Sequence, residues 1–286
     1  MGKRADRREE RRRREQWLLL AGRSSQPGLS PPDVSRLGAL YPPDGAFWAD
    51  PFLWSRGGRH YVFFEEYPYA AARGRISVLE LDKDARPAGA AVPVIEEPHH
   101  LSYPFVFEAG GELYMVPEKA QTRRVDLYRC VAFPTDWERI KTLVEGMTVA
   151  DATLFEHAGL WWLFGAMKGR RLHLNESLCA FYADSPLSTA WKTHPANPLV
   201  RDFSRGRPGG RIFRDGEGRL LRPAQDCVRR YGYGLSLSEI TVISTKHYSE
   251  RLLWRMSGED VGGWRGMHHL DWHAGLLVMD AQRVVA

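Results

Sequence analysis

The residues best placed to do chemistry are carboxylates set among aromatic side chains. Asp50 interrupts FWADPFLW (47–54), Glu118 closes LYMVPE, and Asp151 opens DATLF. Burying an unpaired carboxylate is costly, so such a residue is hydrogen-bonded, faces a cavity, or is used. Two or three carboxylates around one cavity suit glycosidic bond cleavage. One stays protonated to donate to the leaving oxygen, and another is ionised to act as base or nucleophile. A nearby Arg or His helps keep their pKa values apart, and Arg211 and His268 are expected to hold the sugar. Trp48 and Tyr103, with Trp161 and Tyr231, offer ring faces to sugars, and Glu66, Arg222, Gln225 and Asp226 offer hydrogen bonds to hydroxyls.

Each of these residues also has a purely structural reading. Asp50 precedes a proline and could be a turn residue. Asp151 could cap its hairpin, and Glu118 could pair with Arg123 or Arg124. Arg211 follows Gly209-Gly210, which is equally a bulge signal. Adjacent strand residues point to opposite faces, so neither His99-His100 nor His268-His269 can chelate a metal alone. The same alternation predicts that Glu65 and Glu66 split into one exposed and one inward residue.

The elements that position these residues recur. FWADPFLWSRGGRHYVFFEE (47–66) reads as strand, Gly turn and strand. The plan returns in LSYPFVFEAGGELYMVPE, VADATLFEHAGLWWLFGA, PGGRIFRDGEGRLLRPAQD and MHHLDWHAGLLVMDA. The aligned positions Asp50, Tyr103, Asp151, Arg211 and Met267 lie 53, 48, 60 and 56 residues apart. Further strand-like segments between the hairpins bring each repeat to about four strands, the content of a propeller blade. The expected fold is therefore all-β, a five-bladed β-propeller over residues 17–286. QWLLLAGR is a strand placed ahead of the first blade, and residues 17–23 are expected to complete the last one, removing an open edge. The innermost strand of each blade lines the channel, so polar residues there converge.

Composition agrees with a globular chain: 286 residues, 43% hydrophobic and 12% aromatic, rich in Gly and Pro. The net charge of +5 is concentrated in residues 1–16, with eight Lys/Arg against four Asp/Glu. This basic N-terminal tail could meet phosphate or an acidic membrane surface but reads as a solvated terminus, so no nucleic-acid partner is expected. No apolar run spans a membrane, no signal peptide stands out, and a cytoplasmic protein is expected. Cys130, Cys179 and Cys227 lack the spacing of a disulfide framework or zinc site, and no phosphate loop, nucleophile elbow or zincin motif occurs. Neither a cofactor nor a metal is expected.

The motifs WADPF, HLSYPFVF with YMVPE, DATLFEHAGLWWLF, WKTHPANPLV, PGGRIF, LLRPAQDC and YGYGLSLSEI run in order through residues 47–281. Together they resemble the N-terminal-type domain of plant glucosamine inositolphosphorylceramide transferases and its bacterial relatives. That domain is similar to the five-bladed propellers of arabinanase-, xylosidase- and invertase-type glycoside hydrolases. The resemblance implies carbohydrate chemistry, with bacterial relatives associated with cell-surface glycans, and WADPF carries the hydrolases' base or nucleophile onto Asp50. Their second-blade W-A-P-D is SYPFV here and their third-blade E-A-P is ADATL. General acid and pKa modulator therefore do not transfer by position, and Glu118 and Asp151 are placed from the repeats alone. The plant enzymes carry a separate C-terminal glycosyltransferase domain that has no counterpart within residues 1–286, so transferase activity is not expected to carry over from the resemblance. The expected protein is a glycoside hydrolase or transglycosylase acting on a glycan or sugar conjugate. The alternative is a non-catalytic glycan-binding propeller serving a partner glycosyltransferase.

Overall fold

Four hairpins turn on two residues that both have positive φ: Gly57-Gly58, Gly110-Gly111, Ala158-Gly159 and Ala274-Gly275. This is the turn whose twist matches that of its flanking strands, so four of the five repeats fold as predicted into tight antiparallel hairpins, and the fourth repeat in chain order closes over the longer loop 215–219. The computed structural model describes residues 15–285, and the basic tail up to residue 14 lies outside them.

Five antiparallel sheets form the blades of a β-propeller, and the described residues contain no α-helix. Blade I contains Ala46–Arg56, Arg59–Pro68, Arg75–Leu81 and Val92–Ile95; blade II contains Ser102–Ala109, Glu112–Glu118, Arg124–Ala132 and Asp136–Glu145. Blade III contains Val149–His157, Leu160–Met167, Ser177–Ala183 and Lys192–Thr193, with Val200–Arg201 on the same third strand. Blade IV begins with the very short Phe213–Arg214, followed by Leu220–Asp226, Gly234–Ile243 and Tyr248–Ser257. In blade V, Leu270–His273 and Leu276–Val284 are joined by Glu15–Arg23 and Gly38–Leu40 from the other end of the chain. All nine residues of Glu15–Arg23 pair in unbroken register with Leu276–Val284. The edge of the last blade is thus covered by the chain's own first strand.

Apolar residues of adjacent blades pack face to face, so the core lies between blades. Phe52, Phe63, Phe105, Met115, Leu154 and Leu163 join blades I to III, and Leu18, Leu237, Leu277 and Met279 join blades IV and V. Fully burying each such side chain contributes about 1.5–3 kcal/mol. The channel axis is left to the polar residues.

Candidate functional site

The inner strands of blades I, II and III break in the same way. Ala49 pairs with Glu65 and Phe52 with Phe63; Ser102 pairs with Glu118 and Phe105 with Val116; Ala150 pairs with Ala166 and Thr153 with Phe164. Three steps on the inner strand answer two on its partner, which is a β-bulge. Within each bulge one non-glycine residue has positive φ: Asp50 at 53°, Tyr103 at 44° and Asp151 at 55°. Such backbone costs of order 1–3 kcal/mol per residue and persists where the surroundings over-determine it. These are the three positions that the repeats align. In blade IV the left-handed residue is Gly210, where a Cβ would stand 1.9 Å from the Leu270 carbonyl oxygen, so only glycine fits.

Hydrogen bonds link one bulge to the next around the channel. The Asp50 N–H donates to Asp280 Oδ2 of blade V (3.2 Å), and the Tyr103 N–H donates to Asp50 Oδ2 (3.2 Å). The Tyr103 hydroxyl lies 2.8 Å from Thr153 Oγ1 and accepts the Gly210 N–H at 3.1 Å. Asp280 also accepts the N–H groups of His268 (2.8 Å) and His269 (3.0 Å). A single buried carboxylate therefore fixes both the Asp50 bulge and the two histidines.

Around this ring two of the three predicted catalytic carboxylates, Asp151 and Glu118, meet Arg207. Its Nε donates to Asp151 Oδ2 and its Nη2 to Asp151 Oδ1 (3.4 Å), while Nη2 lies 3.7 Å from Glu118 Oε2. Nη1 donates to Asn175 Oδ1 at 3.0 Å, and the guanidinium stacks 5.0 Å from the Tyr231 ring centre. Gln225 Nε2 donates to Asp151 Oδ2 at 3.0 Å. His268 Nδ1 lies 2.6 Å from Asp280 Oδ2, and its Nε2 lies 3.6 Å from Asp50 Oδ1. The cluster reaches solvent through Tyr231, which is 45% exposed, and through slivers of Glu118 and Arg207.

Burial and crowding of negative charge set the protonation states. Asp50 is pushed up to about 7 by burial, with Asp151 and Asp280 adding to the shift and His268 opposing it. Burial and the neighbouring Asp151 carry Glu118 well above the carboxylate range, against the pull of Arg207. Burial alone would depress His268, but Asp280 and Asp50 outweigh it and hold the imidazole above its usual value. Burial takes His269 down to about 4, leaving it neutral against Phe52 and Tyr103. Asp50, His268 and Asp280 also present donor atoms within 4.8 Å of one another, a spacing that could hold a cation.

Asp50, Glu118, Asp151, Gln225 and His268 are therefore brought together, and five other candidates are engaged elsewhere. Arg211 is held by Asp271 (2.9 Å) and by the carbonyls of Val106 (2.7 Å) and Leu53 (3.4 Å), deeper in the channel. Arg222 pairs with Glu250 (2.9 and 2.8 Å), and Asp226 with Arg255 Nε (3.0 Å). Glu66 accepts from Arg75 (3.0 Å) and Ser77 (2.7 Å), with Trp48 Nε1 at 3.5 Å. Tyr103 is in the ring but fully buried, so its face is closed to a sugar. Glu65 and Glu66 do not split as expected: both are buried, because each face of this strand meets a neighbour, His100 for one and Arg75 for the other. Cys130, Cys179 and Cys227 are free thiols. Arg207 and Asp280 were not legible as site residues. Asp280 carries the same signal as Asp50, a carboxylate inside an apolar run, LLVMDA.

Comparison with known proteins identifies the family and the fold. Residues 32–279 match the family described as glucosamine inositolphosphorylceramide transferase 1, N-terminal. The chain is 37% identical to the glucosamine inositolphosphorylceramide transferase 1 of Oryza sativa subsp. japonica over 255 residues, covering 83% of this chain and 33% of the relative. It is 37% identical to that of Arabidopsis thaliana over 236 residues, covering 79% and 30%. The chain thus spans about a third of the length of these relatives. Among solved structures, an alpha-L-arabinofuranosidase from Podospora anserina superposes with a TM-score of 0.63 at 11% identity, over 84% of this chain and 92% of that one. The catalytic domain of a Coprinopsis cinerea alpha-L-arabinofuranosidase gives 0.61 at 12%, over 82% and 90%. These structures share the five-bladed fold. By sequence, the chain belongs to the family of the N-terminal domain of glucosamine inositolphosphorylceramide transferase 1.

Proposed function

We propose that the channel mouth is a carbohydrate site that cleaves or transfers a glycosyl unit of a glycan or sugar conjugate. The observation that carries this reading is the pair of proton-retaining carboxylates, Asp50 and Glu118, arranged around the anchored Asp151–Arg207 ion pair. Glu118 holds the proton that passes to the leaving glycosidic oxygen. Asp50 in its ionised form attacks the anomeric carbon or takes a proton from water, and Asp151, tied to Arg207 and Gln225, holds the Glu118 proton in place by its charge. Tyr231, exposed beside Arg207, offers a face on which a sugar ring stacks. The likeness to arabinofuranosidases supports the fold on which such a site is built, and the roles rest on this chain's own residues.

A second reading rests on coverage. The relatives are named as transferases and are about three times as long as the matched part, which suits a propeller that binds a glycan for a partner glycosyltransferase. Asp50→Asn separates the two. On an aryl-glycoside panel, catalysis predicts a loss of about 10²–10⁴ in turnover with the fold retained, the range for removing a general acid or base. Unchanged turnover in a folded variant defeats the assignment of Asp50. Sugar capture on a glycan array without turnover by the unaltered protein, and unchanged in the Asn variant, selects the binding reading.

A further inference from the structure

The excess positive charge of the chain is concentrated in its first fourteen residues. Residues 1–14, MGKRADRREERRRR, hold eight of the 40 Lys/Arg and three of the 35 Asp/Glu, which leaves 32 of each sign in the rest. They join the propeller at Glu15, which pairs with Val284 and lies 2.7 Å from Arg265 Nε. Two residues on, the Trp17 ring packs 4.3 Å from His268. The point of attachment is therefore on the mouth face, beside the site.

The rim itself carries matching features. Lys168, Arg170 and Arg171 are exposed on the loop after Leu160–Met167 and make no ion pair with any described residue. Asn175, at the far end of that loop, bonds Arg207, so the loop belongs to the mouth. Next to it Phe203, Val228 and Tyr231 are 41%, 57% and 45% exposed, on two loops tied together by the Cys227 N–H donating to the Phe203 carbonyl at 2.7 Å. Exposed aromatic and aliphatic side chains beside unpaired cations suit the headgroup region of a bilayer. There the apolar groups enter the acyl boundary and the cations meet lipid phosphates. A nucleic acid would use the charges but has no place for Val228.

We infer that the mouth face docks on an anionic lipid bilayer, turning the channel toward the headgroups. Docking is independent of what the site does to a sugar, and it is read without one. In co-sedimentation of the full chain, vesicles of phosphatidylcholine and phosphatidylglycerol bind the protein at about 0.1 M salt and release it at about 1 M, whereas phosphatidylcholine vesicles bind weakly at both. Arg170→Glu with Arg171→Glu lowers the partition coefficient by roughly tenfold or more. Phe203→Ser with Val228→Ser lowers it several-fold while the salt dependence remains. Leu29→Ser, 54% exposed on the segment tied to Gly275 at the opposite end of blade V, leaves it unchanged. Melting curves establish that each variant is folded. Absence of binding to anionic vesicles, equal loss in the Leu29 variant, or binding of an oligonucleotide without binding of vesicles overturns the inference.

Discussion

Two arginine–aspartate pairs occupy the channel, their arginines four residues apart on one segment, and their surroundings differ in charge balance. Arg211 and Asp271 form a closed unit. The guanidinium contacts both carboxylate oxygens and two carbonyls, the Leu53 N–H donates to Asp271 at 2.8 Å, and the Phe52 and Phe105 rings lie 5.7 and 5.3 Å from the cation. At the mouth, Arg207 and His268 face four carboxylates, those of Asp50, Glu118, Asp151 and Asp280. The deeper pair is neutral and satisfied, and it plugs the channel. Around the outer pair the negative charge exceeds what two cations neutralise, so protons are retained on Asp50 and Glu118. The same residue pair thus stabilises in one layer and poises acid–base chemistry in the other.

Removing half of the plug is the most damaging way to test the contrast. Asp271→Ala leaves Arg211 buried without its counter-charge and is expected to lower stability by about 3–5 kcal/mol in urea or thermal unfolding. Arg207→Gln should cost clearly less, because Gln225 still donates to Asp151 and Glu118 already carries its own proton. Equal costs for the two variants would erase the distinction between plug and site.

Between the two layers sits Tyr103, for which sequence and structure give different roles. Tyr103→Phe keeps the ring against Phe52 and His269 but leaves the Gly210 N–H unpaired. The expected loss is about 1–3 kcal/mol of stability, with sugar affinity unchanged. A fall in affinity at constant stability would instead make Tyr103 a sugar contact.

What the sequence made legible follows from this layering. Asp50, Tyr103 and Asp151 could be aligned because hairpin turns and apolar strands repeat around them, and the alignment found three identical bulges. What each does there depends on neighbours from other blades. Tyr103 became a buried rivet because Gly210 and Thr153 happen to face its hydroxyl. Arg207 and Arg211 could not be told apart within RGRPGGR, since only the positions of Asp151 and Asp271 distinguish them, 56 and 60 residues away. Blade I offered both halves of a different trap. Glu66, beside Trp48, looks like a sugar ligand in sequence, yet Arg75 nine residues on claims it.

The mildest test acts on protons rather than on packing, and its sign differs between the layers. Asp50 titrates near 7 in the folded protein against an ordinary 3.8, so between those values the folded chain binds a proton that the unfolded chain has lost. Stability from this group therefore falls as pH rises from about 4 to 7, and above 7 the folded state carries a standing penalty. Asp50→Asn removes that penalty, keeps an oxygen to accept the Tyr103 N–H, and tolerates positive φ as Asp does. The variant should be more stable than the parent by about 1–2 kcal/mol at pH 8, with the gap closing toward pH 4. Asp271→Asn, by contrast, should destabilise at both pH values, because Arg211 loses its counter-charge. The same raised value sets the activity profile. Turnover should climb through pH 7 as Asp50 ionises and fall at higher pH as Glu118 gives up its proton. A stability gain at pH 8 together with a loss of that ascending limb would tie the strain and charge stored at Asp50 to function. If Asn destabilises at pH 8 instead, the Asp50 charge is a structural asset like that of Asp271, and the two layers are alike.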